Sequence, residues 1–485
     1  MAAAPSTLDL AVIVVYLAGV TLWGAWLGRG QTGGRDYFLG RRSLPWGAVM
    51  LSVVATETST LTFLSIPGVA YLGGLGFLQL TFGYLVGRVG VAAALLPAYY
   101  RGELATAYQM LESRFGLGTR RFTSAIFMVT RLLADSVRLF ATAIPLALVT
   151  GWPYPVSIVV IGALTVVYTY LGGIKAVIWV DAVQMGLYLL GAVAAAVALQ
   201  ALVPGGWAAV FSSAGDAGKL ALFDFSFDTS VPYTFWAGLF GGAFLSAASH
   251  GTDQLIVQRL LTCKDLRASQ RALVASGFAV IVQFALFLGI GLGLWSLYGG
   301  QTFERADEIF ARFIVEELPP GLTGLLVAGI FAAAMSSLSS SINSLASASA
   351  YDFWAPARGV AADDAGTLRV GRAFTLLWSV LLIAGALLFI PLSRGTTAVE
   401  AALGIASLVY GGLLGAFALA LFVPAARARD AVVAIAVGVL AMVALWSFGR
   451  AYVAWPWYVF IGTLLTFSVG RVSAAFGRRR WNRDT

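Results

Sequence analysis

Charge is scarce in this chain. Of its 485 residues only 11% are Asp, Glu, Lys or Arg, while 59% are hydrophobic and mean hydropathy is +0.85. A water-soluble globular domain of this size does not carry such a balance. There is one cysteine, Cys263, which excludes a disulfide framework, and one histidine, His250. No Cys/His cluster therefore offers a zinc or iron site. No glycine-rich phosphate loop and no nucleophile paired with a base is present, so the chain does not read as an enzyme or as an ATP-driven pump. Soluble domains are missing too: the longest polar connections, near 203–232 and 299–320, are too short for an independent core. The net charge is +8, but the basic residues lie between apolar runs and form no aromatic-interleaved groove. A bilayer's anionic inner face accounts for them, and nucleic acid is not a partner.

What the chain has is long apolar runs. A hydrocarbon core about 30 Å thick needs roughly 20 apolar residues per helix. About thirteen runs approach that length, near 8–28, 45–71, 75–98, 122–149, 153–170, 176–202, 233–257, 272–298, 321–350, 370–391, 396–423, 431–449 and 453–470. The fold class expected is an all-α integral membrane protein. The first run has no basic residue before it and no small-residue cleavage site after it, so it reads as a span rather than a signal peptide.

Orientation follows from Lys and Arg. With the N-terminus outside, about 23 of the 31 basic residues fall on the cytoplasmic side and about five outside, as the positive-inside rule requires. The cytoplasmic set includes Arg41, Arg42, Arg120, Arg121, Arg259, Lys264 and the tail from Arg471 to Arg483. The outer loops carry acids, among them Asp216, Asp224, Asp228, Glu304 and Glu308. A multi-pass protein of a cell inner or plasma membrane, N-out and C-in, is expected.

The informative residues are those a membrane should exclude. Ala55-Thr56-Glu57-Thr58-Ser59-Thr60-Leu61-Thr62 puts a carboxylate and five hydroxyls into a nominally apolar helix ahead of Pro67-Gly68, which suggests a broken helix lining a cavity. The alternative is a kinked helix whose hydroxyls bond back to their own backbone. Between Ala333 and Ser349, Ser336, Ser340 and Asn343 recur at helical spacing with Ser337 and Ser341 beside them. Such oxygen-rich faces suit a hard monovalent cation, though small residues also allow close helix packing. Asp181 is a candidate anionic ligand or an interfacial acid. Arg131, Asp135 and Arg138 form one stripe, in which a single acid cannot neutralise both arginines. His250 reads as a packing residue or a gate.

These residues resemble the sodium:solute symporter family. The resemblance covers roughly 8–470 and rests on Ile66-Pro67-Gly68, on Tyr170-Leu171-Gly172-Gly173-Ile174-Lys175-Ala176 followed by Asp181 and Gln184, on Gly251-Thr252-Asp253-Gln254 with Val257-Gln258-Arg259, and on Ala333 to Asn343. It implies a single transport domain over 1–485 with a leucine-transporter-type 5+5 inverted repeat. The repeats would cover 45–202 and 233–423, with accessory helices at 8–28 and 431–470. It implies a first sodium held by backbone carbonyls of Ala55, Thr58 and Ala333 and the hydroxyls of Ser336 and Ser337. A second sodium, bound in some members, matches Asp181, Ser336, Ser339 and Ser340. Ser59, Thr62 and Arg138 match positions around the carboxylate in the sialic acid carriers, and Glu57 and His250 join them as candidate solute contacts. Thr62 stands where the sugar carriers have glutamine, which argues against a galactose-type site.

The function implied is sodium-coupled import of a small solute, an organic anion ahead of a sugar or amino acid, using one or two Na+. The partners are that solute and the lipid bilayer, and nothing calls for an obligate protein partner. Two alternatives stay open: a proton-coupled carrier working through Glu57, Asp181 or His250, and a ligand sensor built on a carrier fold. The sensor usually needs an output domain, and only a short basic segment follows residue 470.

Overall fold

The computed structural model describes residues 6–102, 104–303, 306–360, 364–392 and 398–484. Within them the chain is helical, with no strand and one isolated bridge between Leu44 and Cys263. In order the helices are α1 (Thr7–Leu27), α2 (Gly34–Leu39), α3 (Trp46–Glu57), α4 (Thr60–Gly73), α5 (Leu78–Arg101), α6 (Gln109–Phe115), α7 (Leu117–Thr150), α8 (Tyr154–Leu202), α9 (Gly206–Asp216), α10 (Ala243–Gly251), α11 (Gln254–Leu260), α12 (Leu266–Leu297), α13 (Ala306–Glu316), α14 (Leu322–Ala348), α15 (Ala355–Arg358), α16 (Ala365–Leu392), α17 (Ala398–Phe422), α18 (Ala428–Phe448) and α19 (Trp457–Asp484). π-helical turns at Ala237–Gly242 and Ser349–Trp354 lead into α10 and out of α14.

Among the described residues eight helices are long and apolar enough to cross a bilayer, and α3 with α4, bent by 62° where they meet, makes a ninth as a pair. Every apolar run read from the sequence falls on a helix or a helix pair, although 396–397 and Glu304 lie outside the described residues. The runs 153–170 and 176–202 are two arms of α8, which bends at Gly173 (φ 54°, ψ −156°). Only glycine tolerates that conformation, and a Cβ there would also stand 2.5 Å from the Tyr37 carbonyl oxygen.

Burial sorts the helices. In the most apolar stretch of Leu322–Arg358, 94% of residues are buried, against 22–28% in α1, α16 and α18. Helix α14 is therefore the axis of the bundle, and the other three turn most of their surface to lipid. It packs against α8, α1, α7, α3 and α4. Helix α1 is tied to its start: the Asp9 carboxylate caps α1 with Ser6 and also accepts the Gly321 and Gly324 amides at 2.7 Å each. The polar connections expected to be too short for domains hold only the short helices α9 and α13.

Candidate ion and solute site at the broken helix

Helix α3 stops at Glu57. Thr58 leaves helical geometry (φ −81°, ψ 90°), and Ser59 caps α4 by accepting the Thr62 amide at 3.4 Å. In an unbroken helix the Ser59 amide would bond the Ala55 carbonyl; here it turns to Glu57 at 3.1 Å. The break thus frees carbonyls of Ala55 and Thr58 from the helical ladder. Gln283 on α12 donates to the Thr58 hydroxyl at 2.7 Å and pins the turn.

Two contacts set the break against α14. Thr60 donates to the Ile330 carbonyl at 3.3 Å, and Thr56 shares a 3.1 Å hydrogen bond with Ser340. The two segments run antiparallel, so Ala333, Ser336 and Ser337 fall between these ties, opposite the unwound residues. Several serines of α14 bond back to their own helix: Ser339 and Ser340 donate to the Ser336 carbonyl at 3.0 and 2.6 Å and Ser344 to the Ser341 carbonyl at 3.1 Å, while Ser341 lies 3.1 Å from the Ser337 carbonyl and donates at 2.5 Å to Asp135 of α7. Ser336 and Ser337 do not, and both hydroxyls are buried without a hydrogen-bond partner. A buried unpaired hydroxyl costs about 1–3 kcal/mol. Two of them on α14, with Ser337 sharing a cleft with Ser59 and Thr60 of the broken helix, suit a hard cation that needs oxygen ligands and little charge.

A second cluster lies one turn away. Asp181 on α8 and Arg259 on α11 are both fully buried and meet at 3.1 Å. Ser52 donates to the same Asp181 oxygen at 2.6 Å and accepts from Arg259 Nε at 2.9 Å, while Arg259 also donates to Ser340. Arg259, expected on the cytoplasmic side, is thus buried within the bundle, as is Arg120 against Asp352 at 2.8 Å. Both side chains end inside the bundle because buried carboxylates on neighbouring helices compensate them.

The arginine stripe on α7 is more fully paired than one helix could indicate. Arg131 donates to Asp253, the N-cap residue of α11, and to Tyr410, and it lies 3.3 Å from Asp135. Arg138 reaches only Asp135, also at 3.3 Å, and its Nε has no partner among the described residues. It opens onto a narrow cleft shared with Ser59, Thr60, Thr142 and Ser337. Thr62, Glu57 and His250 do not line that cleft. Glu57 pairs with Arg88, which is fully buried and also donates to Ser276 at 3.0 Å. His250 stands 3.6 Å from Glu57 through Nε2, with Nδ1 3.0 Å from the Ser246 carbonyl.

The profile of the sodium:solute symporter family matches residues 37–448. The chain belongs to that family. Among this symporter's relatives, human sodium-coupled monocarboxylate transporter 1 is 30% identical over 88% of this chain and 70% of its own length. The sodium/sialic acid symporter SiaT of Proteus mirabilis is 30% identical over 90% of this chain and 89% of its own. NanT of Aliivibrio fischeri, also a sodium/sialic acid symporter, is 29% identical over 99% and 95%. A substrate-bound, outward-open structure of a Na+-coupled sialic acid symporter superposes with a TM-score of 0.88 at 28% identity, covering 97% of this chain and 98% of that one. Mhp1, a nucleobase-cation-symport-1 transporter, shares the fold with a TM-score of 0.57 at 14% identity. The leucine-transporter-type fold expected from the resemblance is the observed one, and the symporter is a multi-pass membrane carrier coupled to sodium.

Sequence reading passed over Arg88, and it gave Asp253 and Arg259, quoted only as motif residues, no pairing role. Each completes a buried pair with a residue singled out in the sequence. Arg88 carried a signal, since an arginine in the apolar run 75–98 needs an acid or water.

Proposed function

We propose that this symporter imports a small organic anion together with sodium by alternating access. The first sodium binds the Ser336 and Ser337 hydroxyls and the carbonyls of Ala55, Thr58 and Ala333. The observation that carries this reading is the pair of buried, partnerless hydroxyls of Ser336 and Ser337 set against the unwound segment. A bound sodium bridges the broken helix to α14 and so stiffens the adjoining cleft before the solute arrives. A second sodium is drawn to Asp181, with Ser336 and Ser339; Ser340, which the family resemblance also matches to this site, is taken up by the Ser336 carbonyl, Thr56 and Arg259.

The solute carboxylate pairs with Arg138, with Ser59 and Thr62 as short hydroxyl donors. A guanidinium reads a carboxylate bidentately, a preference that a neutral sugar does not reward. Glu57 and His250 lie outside the cleft at Arg138 and act on the hinge of the broken helix, with Arg88 holding the Glu57 carboxylate in place. The two repeats cover 45–202 and 233–423, and the N-terminus lies outside, as the basic residues favour. One charge moved down 100 mV supplies about 2.3 kcal/mol, roughly fifty-fold accumulation per ion.

The test is uptake into proteoliposomes under an inward sodium gradient, competed by paired compounds, each carboxylate against its amide or ester. The acid is expected to compete at least tenfold better. Equal competition by the neutral member replaces the anion with a polyol or zwitterion, and uptake indifferent to sodium but driven by a pH gradient replaces sodium with protons.

A further inference from the structure

The two oxygens of Asp181 are used differently. Oδ2 accepts from Ser52 and Arg259, whereas Oδ1 is buried with no partner. Gln184 lies three residues on, one turn along the same face of α8; it is fully buried, and neither its amide oxygen nor its amide nitrogen has a partner. The Ser336 hydroxyl lies beside the Asp181 carboxylate, near enough to interact but outside well-formed hydrogen-bond geometry. From α1, which packs against both α8 and α14, the unpartnered Tyr16 hydroxyl faces Gln184. Five polar atoms from three helices thus surround one buried space, and although Ser336 approaches Asp181 and Tyr16 approaches Gln184, none of the five makes a well-formed hydrogen bond within the protein. Native interiors seldom leave so many together unless water or an ion completes them.

Ser340 is already committed. A hydroxyl offers one proton and two lone pairs, and Ser340 meets the Ser336 carbonyl, Thr56 and Arg259 at once. It has no lone pair left for a cation while Arg259 stays in place. Gln184 has a free carbonyl oxygen on the side of Asp181 that Arg259 leaves open.

From this we infer that Gln184, with Tyr16 of the accessory helix behind it, completes the second monovalent-cation site. The cation sits against Asp181 Oδ1, the Gln184 amide oxygen and the Ser336 hydroxyl. The Gln184 amide nitrogen donates to the Tyr16 oxygen, which fixes the amide with its oxygen toward the ion. Ser339 keeps its lone pairs available, because its proton goes to the Ser336 carbonyl. Because Asp181 is shared with Arg259, little negative charge is left for the ion and neutral oxygens supply most of its ligands, which disfavours a divalent ion more than a monovalent one. Helix α1 then serves the ion site directly. This inference rests on the reading of Asp181 as a sodium ligand.

Sodium titrations of thermal stability in detergent and of uptake in proteoliposomes test it. Gln184→Leu is expected to raise half-saturating sodium at least tenfold and lower the Hill coefficient from near two to near one, with the defect narrowing as sodium is raised. Gln184→Glu, which adds an anionic oxygen, should lower half-saturating sodium severalfold, and it decides the matter alone if the leucine variant does not fold. Tyr16→Phe should raise half-saturating sodium about threefold, as expected from losing one hydrogen bond. If both Gln184 variants titrate like wild type while Asp181→Asn does not, the chamber holds water only and the inference falls by itself. If wild type has a Hill coefficient of one and Asp181→Asn leaves sodium dependence unchanged, the second-ion reading falls with it.

Discussion

Glu57, the last residue of α3, pairs with fully buried Arg88 of α5 immediately before the helix unwinds at Thr58. The pair joins the broken helix to its neighbour at the hinge. Removing one member of a buried pair leaves the other charge uncompensated, at about 3–5 kcal/mol. Glu57→Gln should therefore lower the thermal midpoint in detergent sharply, and the double variant Glu57→Gln/Arg88→Gln should regain more than half of the loss. Additive losses in that cycle would show that the two side chains are not coupled.

Ser336→Ala with Ser337→Ala removes two sodium ligands but leaves a helix of better intrinsic propensity. The protein is expected to stay folded while losing sodium-induced thermal stabilisation and sodium-driven uptake. Half-saturating sodium should rise at least tenfold, about 1.4 kcal/mol. Wild-type sodium affinity in the double variant would remove the first site from these residues.

Asp181→Asn acts twice. It withdraws the charge proposed for the second ion and leaves Arg259 buried opposite a neutral amide. Stability in the absence of sodium should fall by about 3 kcal/mol, and the Hill coefficient should fall toward one. Lower stability with an unchanged coefficient makes Asp181 only the partner of Arg259.

Arg138→Gln is expected to weaken the acid ten- to a hundredfold while changing its amide or ester little, because the charge-assisted pair is lost and the cleft keeps its shape. Competition assays at saturating sodium measure the ratio. An unchanged preference for the acid would assign carboxylate recognition to another residue.

The polar breaks were legible in the sequence because lipid penalises them: Thr56 to Thr62, Asp181, the α7 stripe and the serines of α14 stand out against apolar runs. Which serines are free was not legible. Ser336, Ser337, Ser340 and Ser341 read alike at helical spacing, yet two bond back to their own backbone and two do not. The difference comes from what α3, α7, α8 and α11 bring to each hydroxyl. Glu57 likewise stood out as an acid in an apolar run, but its pairing with Arg88 on α5 was not legible.

By itself the sequence determined that this protein is helical and lives in a membrane, where its spans lie, and where they carry oxygen. Hydrophobic length, the scarcity of charge and the cost of an unpaired polar group in hydrocarbon are local properties, written residue by residue. Tertiary structure alone decided the pairings. Arg259 with Asp181, Arg131 with Asp253 and Arg88 with Glu57 each join residues at least 31 positions apart in the chain. Each pair exists because helix packing brings two otherwise costly charges within reach of each other. The same packing leaves Ser336, Gln184 and one oxygen of Asp181 turned toward a common space with nothing from the protein to fill it.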